Sequence, residues 1–436
     1  MTSAVPPVPE RPFGVGRIGP RYLVMLTALL GLVAWGVVGY VRQLVLGEQV
    51  TGLRDVGTMG GAAWGLYIAF VVYFVGVSFA GITVAAMIRL FNLTHLRPVA
   101  RMAELLTIVA LLLGAASVLV DLGQPDRGLI NLFRYARPES PFFGTFSLVL
   151  AGYLFASLVY FYLDGRRDAY LMAQRPGRLQ GFYRAWAGGY ADTIAEHDRH
   201  DRTSFWLSLA IIPLLVIAHS TLGFVFGLQA GRPGWFSALQ APGFVVMAGV
   251  SGIGHIIVIA YMARRFLHLE AQLPTRVFAW LGNFLWILIA AYLYFLLVEM
   301  LTGIYAARHD EVSVTKALLV GHYAWLFWLA VGLLLAAGIA QFTQFVTRRY
   351  SIPLIVLVAV MVNVAAMAKR YLIVVPGQTH GRLLPYEVGS YTPTWVEFSI
   401  VVGLMALGAV AMLLFFKAFP IMHLDHARTG SEAHNV

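Results

Sequence analysis

The chain has 436 residues, 59% of them hydrophobic and only 12% charged, with no cysteine and a formal net charge of +10. So small a charged share excludes an ordinary soluble domain, and the lack of cysteine excludes disulfides, thiolate-held iron-sulfur clusters, zinc-thiolate sites and cysteine nucleophiles. The basic residues are scattered between apolar runs, which argues for membrane topology and against nucleic acid.

The start, "MTSAVPPVPERPFGVGRIGPRY", is proline-rich and basic, without the short apolar core and cleavage site of a signal peptide, so residues 1–21 read as a tail. A bilayer core takes about 20 apolar residues of helix, and ten runs of that length follow. They are 22–46, 63–90, 102–120, 143–163, 205–228, 240–263, 277–300, 318–345, 351–375 and 395–416. The expected fold is an all-α polytopic membrane protein, with a transmembrane domain over 22–416 and a second tail over 417–436. Residues 164–204, between spans 4 and 5, mix both charge signs with glycine and aromatic residues. They read as a solvated connector, with a surface-lying amphipathic helix or a partner contact as the rival.

Spans 2–5 and 6–9 run in the same direction, an offset of four helices, which allows two four-helix bundles flanked by spans 1 and 10. Small residues in "GVSFAG" (Gly76 to Gly81) and "GVSGIG" (Gly249 to Gly254) permit close helix packing. With ten spans both termini share a side. That side holds 20 of the 31 Lys and Arg, seven of them in 164–204, so by the positive-inside rule both termini are expected in the cytoplasm.

Ionisable residues inside spans are costly and are functional candidates. Asp121 ends span 3, His219 lies in the outer half of span 5, and Glu299 ends span 7. His322 opens span 8, and Lys369 with Arg370 closes span 9, so all six fall toward the side opposite the termini. Carboxylate, imidazole and guanidinium there could bind a polar head group and exchange protons with it; end-of-helix snorkelling is the alternative for Glu299 and Lys369, and a structural hydrogen bond for His219. Glu104, expected in the first turn of span 3, suits a helix-dipole contact or an ion pair with Arg101, or a proton path. His255 in span 6 suits either a proton path or a helix-helix bond. Only His219 and His322 share a depth, which does not make a bis-histidine haem site.

The segment "DLGQPDRGLINLF", from Asp121, resembles the Asp-Leu-Gly-Arg-Pro segment of the NrfD/PsrC family. These are integral membrane subunits of polysulfide reductases, related respiratory complexes and alternative complex III. "RPESPFFGTF" from Arg137, "FLLVEMLTGIY" from Phe295, "AKRYLIVVP" from Ala368 and "YTPTWVEFSI" from Tyr391 match in the family's order. Gln124 stands where an arginine is common, and some branches carry histidine at the place of Asp121.

The resemblance implies a quinone or quinol site (menaquinone or ubiquinone) near the non-cytoplasmic face, beside a ferredoxin-like iron-sulfur partner, with no covalent or metal cofactor in this chain. It carries over to Asp121, Glu299 and Arg370; His219 and His322 join by depth. The expected function is electron exchange between quinol and the partner, with Asp121 and His219 taking protons and Arg370 and Glu299 holding anionic intermediates. A secondary transporter and a structural anchor for a partner oxidoreductase are the alternatives.

Overall fold

The structure of the chain, a computed structural model, describes residues 12–53, 62–135, 137, 139–305, 308–380 and 389–424. Most of both expected tails lies outside the described residues. Ten long helices carry the fold: α1 (Pro20–Leu46), α2 (Leu66–Leu90), α3 (Arg97–Asp121), α4 (Ser147–Ala173), α5 (Ile194–Gly227), α6 (Gln240–Leu267), α7 (Thr275–Tyr305), α8 (Ala324–Thr347), α9 (Ile352–Val374) and α10 (Trp395–Ala418). Each is long and apolar enough to cross a bilayer, where helices succeed because they satisfy their backbone polar groups internally. There are no strands among the described residues, so the chain is an all-α polytopic membrane protein.

Helices α2 to α5 close one four-helix ring, with α2 on α3 and α5, and α4 on α3 and α5. Helices α6 to α9 close a second, in which α6 and α8 each touch α7 and α9. The rings meet where α2 packs on α6 and α9, and α5 on α6. Helices α1 and α10 flank them as a pair. A Cβ added to Gly36 would sit 2.8 Å from the Gly403 Cα, and one on Gly39 would collide with Ser399 Oγ. Only glycine allows these backbones to approach so closely, the usual device of membrane helix pairs.

Three expectations change. Residues 164–204, read as a solvated connector, are largely helical: α4 continues to Ala173, Gln180–Ala187 forms a short helix, and α5 begins at Ile194. Asp164 and Asp168, one turn apart on α4, are buried against Arg101, and Trp186 stacks on Phe419 at 4.7 Å. Charges that looked like a solvated loop are paired across helices. His322 does not open a span; it is exposed in the turn before α8. Glu104 falls in the second turn of α3, because that helix starts at Arg97.

Candidate functional site

At the face opposite the termini, polar side chains form two groups. The first lies where α6, α7 and α9 meet. A recess of about 20 Å³ is bordered by Gln240, Phe244, Tyr292, Phe295, Glu299 and Ile373. Arg370 projects from α9 at 2% exposure. Its guanidinium lies 4.4 Å from the centroid of the Phe244 ring, and its Nη2 donates to Phe244 O at 3.4 Å. The Nη1 is buried with no hydrogen-bond partner among the described residues. The preceding residue, Lys369, is 3% exposed and donates to Glu299 Oε2 at 3.2 Å. Snorkelling therefore does not explain Lys369: α7 supplies the carboxylate that lets the ammonium stay buried.

The second group gathers around the end of α3. Asp121 is 6% exposed. Gln43 of α1 donates to Val120 O at 2.8 Å and accepts from Tyr67 Oη at 2.7 Å. Beside it the fully buried Glu397 accepts from Gly52 N at 2.7 Å, from Thr394 N at 2.9 Å and from the Tyr391 hydroxyl. Burial, and then the Glu397 carboxylate, hold the Tyr391 hydroxyl well above the usual phenol range. The structure therefore places Asp121 in a different polar group from Glu299 and Arg370, although all three stand at one end of the bundle.

His219 belongs to neither group. Its ring nitrogens lie 2.8 Å from Leu215 O on its own helix and 2.8 Å from Val75 O on α2, and its ring meets Phe79 and Tyr153 edge-on. A neutral imidazole can donate only one of these bonds, and neither nitrogen is turned to the recess. His219 thus fastens α5 to α2. His255 bonds Ser251 O at 3.0 Å and contacts the Tyr73 ring. Among the described residues no group of His, Cys, Asp and Glu is arranged to hold a metal ion.

Sequence reasoning missed Tyr292, Gln43, Tyr67 and Glu397. The polar ones lie close to span ends, where such residues are common, and Tyr292 has no charge to mark it. Asp164 and Asp168 were legible in principle, since a spacing of four on a helix puts two carboxylates on one face.

Residues 55–380 match the family described as polysulphide reductase, NrfD. The chain belongs to the NrfD family. Three relatives match along nearly their whole lengths. A protein of Halobacterium salinarum named as a dimethyl sulfoxide reductase membrane subunit is 30% identical over 93% of this chain and 92% of its own. A selenate reductase subunit of Mesobacillus selenatarsenatis is 25% identical over 94% and 98%. The Hdr-like menaquinol oxidoreductase integral membrane subunit of Archaeoglobus fulgidus is 24% identical over 92% and 94%. This NrfD chain is therefore a multi-pass membrane protein similar throughout to membrane subunits of oxidoreductase complexes.

Proposed function

We propose that the chain is the quinone-reactive membrane subunit of an electron-transfer complex, exchanging electrons with an iron-sulfur partner on the face opposite its termini. The observation that carries this reading is Arg370, a buried guanidinium whose Nη1 has no hydrogen-bond partner among the described residues and which lies over Phe244, itself a wall of the recess with Tyr292 and Phe295. Arginine donates and never accepts, so the free N–H suits a carbonyl oxygen or an anionic ring oxygen, and the aromatic walls suit a quinone ring. The family and a relative named as a menaquinol oxidoreductase subunit support the same class of substrate.

The recess has room for about one water, so a ring enters only if Phe295 and Leu239, both half-buried, swing aside. Once there, a quinol gives two electrons to the partner and two protons to the protein. Arg370 holds the ring oxygen and stabilises its negative charge as the proton leaves. Glu299 borders the recess with its side chain 27% exposed, which suits it to take a proton only in passing, handing it to water so that the carboxylate returns to its pairing with Lys369. Asp121, at the same end of the bundle, is the acceptor proposed for the second. His219 acts by holding α2 behind Arg370 instead of by accepting a proton. Quinone reduction uses the same groups in reverse. Both termini then lie in the cytoplasm of a prokaryotic inner membrane, as the distribution of Lys and Arg favours.

The test is Arg370→Ala in the assembled complex. Losing a hydrogen bond from a charged donor costs about 1.5–3 kcal/mol, which predicts quinol-linked turnover reduced about 10- to 100-fold with subunit composition unchanged. Full turnover in that variant refutes the site. Normal turnover per assembled complex with reduced assembly favours a structural anchor.

A further inference from the structure

On the side that carries the termini lies a cavity of about 460 Å³ with no part in the quinone reading. Against it, Arg89 Nη2 meets Asp164 Oδ1 at 3.2 Å, and Arg101 Nη2 meets Asp164 Oδ2 at 3.4 Å and Asp168 Oδ2 at 2.6 Å. Two guanidinium groups and two carboxylates leave that set neutral. Glu104, one turn further along α3, is the acid left over. It lines the cavity, is 2% exposed, and its Oε2 is buried with no hydrogen-bond partner among the described residues. A buried carboxylate without a countercharge is expensive, so its charge must be met by a proton.

The last member of the cluster is His423, on the segment 419–424 that follows α10. This strap is tied down by Arg101, which donates to Pro420 O at 3.2 Å and Met422 O at 3.1 Å, and by Asp168, which accepts from Leu424 N at 3.3 Å. His423 Nδ1 lies 3.0 Å from Arg101 Nη2 and 3.6 Å from Asp168 Oδ2, and its Nε2 lies 3.3 Å from Asp164 Oδ2. Facing a donor, Nδ1 must accept, so this arrangement has a neutral imidazole whose Nε2–H donates to Asp164. Cluster neutrality then puts the remaining proton on Glu104. The other neutral arrangement ionises Glu104 and makes His423 an imidazolium, with Nδ1–H turned to Asp168. The remaining charges around the cavity do not disturb this balance. From α4 and α5, Arg167 and His197 meet Asp192 at 3.2 Å and 2.8 Å. Arg97 of α3 and Asp201 of α5 are exposed and of opposite sign, and His200 stands half-buried beside them.

We propose that Glu104 and His423 share one exchangeable proton across this cavity. The site takes a proton delivered by water, which the cavity has room to hold.

The test is infrared spectroscopy of the intact complex in nanodiscs, following the protonated-carboxyl band against pH without turnover, so that its outcome is independent of the quinone site. The expected result is a band that shifts when glutamate alone is carbon-13 labelled and that disappears in Glu104→Gln. In His423→Ala the proton has one home, so the band grows at neutral pH, toward twice its size if the wild-type pair shares equally. A band unmoved by glutamate labelling, or of unchanged size in His423→Ala, overturns the proposal. So does a band that sodium ions abolish at fixed pH, which assigns the cavity to a metal cation. Labelling needs no substitution, so the test stands even if Glu104→Gln fails to assemble.

Discussion

Arg101→Ala should be among the most damaging single substitutions in this chain. The side chain is 1% exposed and serves both Asp164 and Asp168, themselves 4% and 6% exposed at the side chain, together with two carbonyls of the strap. Removing one partner of a buried ion pair costs about 3–5 kcal/mol, because the charge left behind remains buried. Arg89 still reaches Asp164, so most of the loss falls on Asp168. The cleaner comparison is the triple variant Arg101→Met, Asp164→Asn, Asp168→Asn combined with Arg89→Met, since Arg89 also pairs with Asp164; together these remove the four charges of the cluster. Replacing a whole buried ionic cluster is often neutral or better, so the combined variant should recover most of what the single one loses. Reversible unfolding of the subunit in one lipid composition measures both. A loss below about 1 kcal/mol for Arg101→Ala, or a combined variant worse than the single one, refutes a charge-pairing role for the cluster.

Glu299→Gln should destabilise the fold by leaving the buried Lys369 ammonium unpaired, and combining it with Lys369→Met should restore stability. A double-mutant cycle checks this, with coupling of about 1 kcal/mol or more expected for contacting charges. Gly39→Val should separate α1 from α10, since even a Cβ there would collide with Ser399 Oγ. In a cysteine-free chain this is read directly as loss of a disulfide crosslink between cysteines introduced on the two helices. Glu397→Gln should cost about 1–3 kcal/mol, because a carboxylate serving three donors becomes an amide; hydrogen exchange at Gly52 and Thr394 should rise. Burial lowers the affinity of His380 for protons. The unfolded chain then binds that proton more readily, so stability should fall as the pH drops through about 6.5, and His380→Ala should flatten that slope in thermal unfolding.

The ten spans were legible because bilayer thickness turns composition into length: nothing but an apolar run of about 20 residues will serve. Helix ends were less so. The first turns of α5, "IAEHDRH", carry no apolar signal because they need not be buried in lipid, and 34 residues of helix extend about 51 Å, well beyond the bilayer core. The site was half legible. Glu299 and Arg370 stood out because charge inside a span demands a reason. Depth along a helix says nothing about which way a side chain faces, however, and this is why His219, chosen by depth, stands apart from the recess; Asp121, carried over from the resemblance, shares its end of the bundle and not its polar group. The spacing of Asp164 and Asp168 was legible but their partner was not, since paired and solvated charges look alike until a partner helix is in place.

The middle of the membrane decides how the two ends can communicate. Tyr73 donates to Asn363 Oδ1 at 3.2 Å, Asn363 Nδ2 donates to Ala359 O at 2.8 Å, and His255 bonds Ser251 O. Asn363 fits against α6 because Gly254 lacks a Cβ, which would lie 2.5 Å from its Nδ2. Each of these side chains is engaged where two bundles meet, and the surroundings are apolar: Val250, Ile253, Ile256 and Val362 are fully buried. Such a set has a structural use in fixing the register of α2, α6 and α9. To pass on the proton at Nδ1, His255 must release Ser251 O, the bond that ties its ring to the backbone of its own helix. On the proposed function, this arrangement favours quinol protons leaving on the face opposite the termini, with the Glu104 and His423 cavity in equilibrium with the termini side alone. His255→Phe keeps the ring contact with Tyr73 and removes the titratable group. It should lower stability and leave proton release per electron unchanged; a changed ratio in reconstituted vesicles would mean that the two ends are joined.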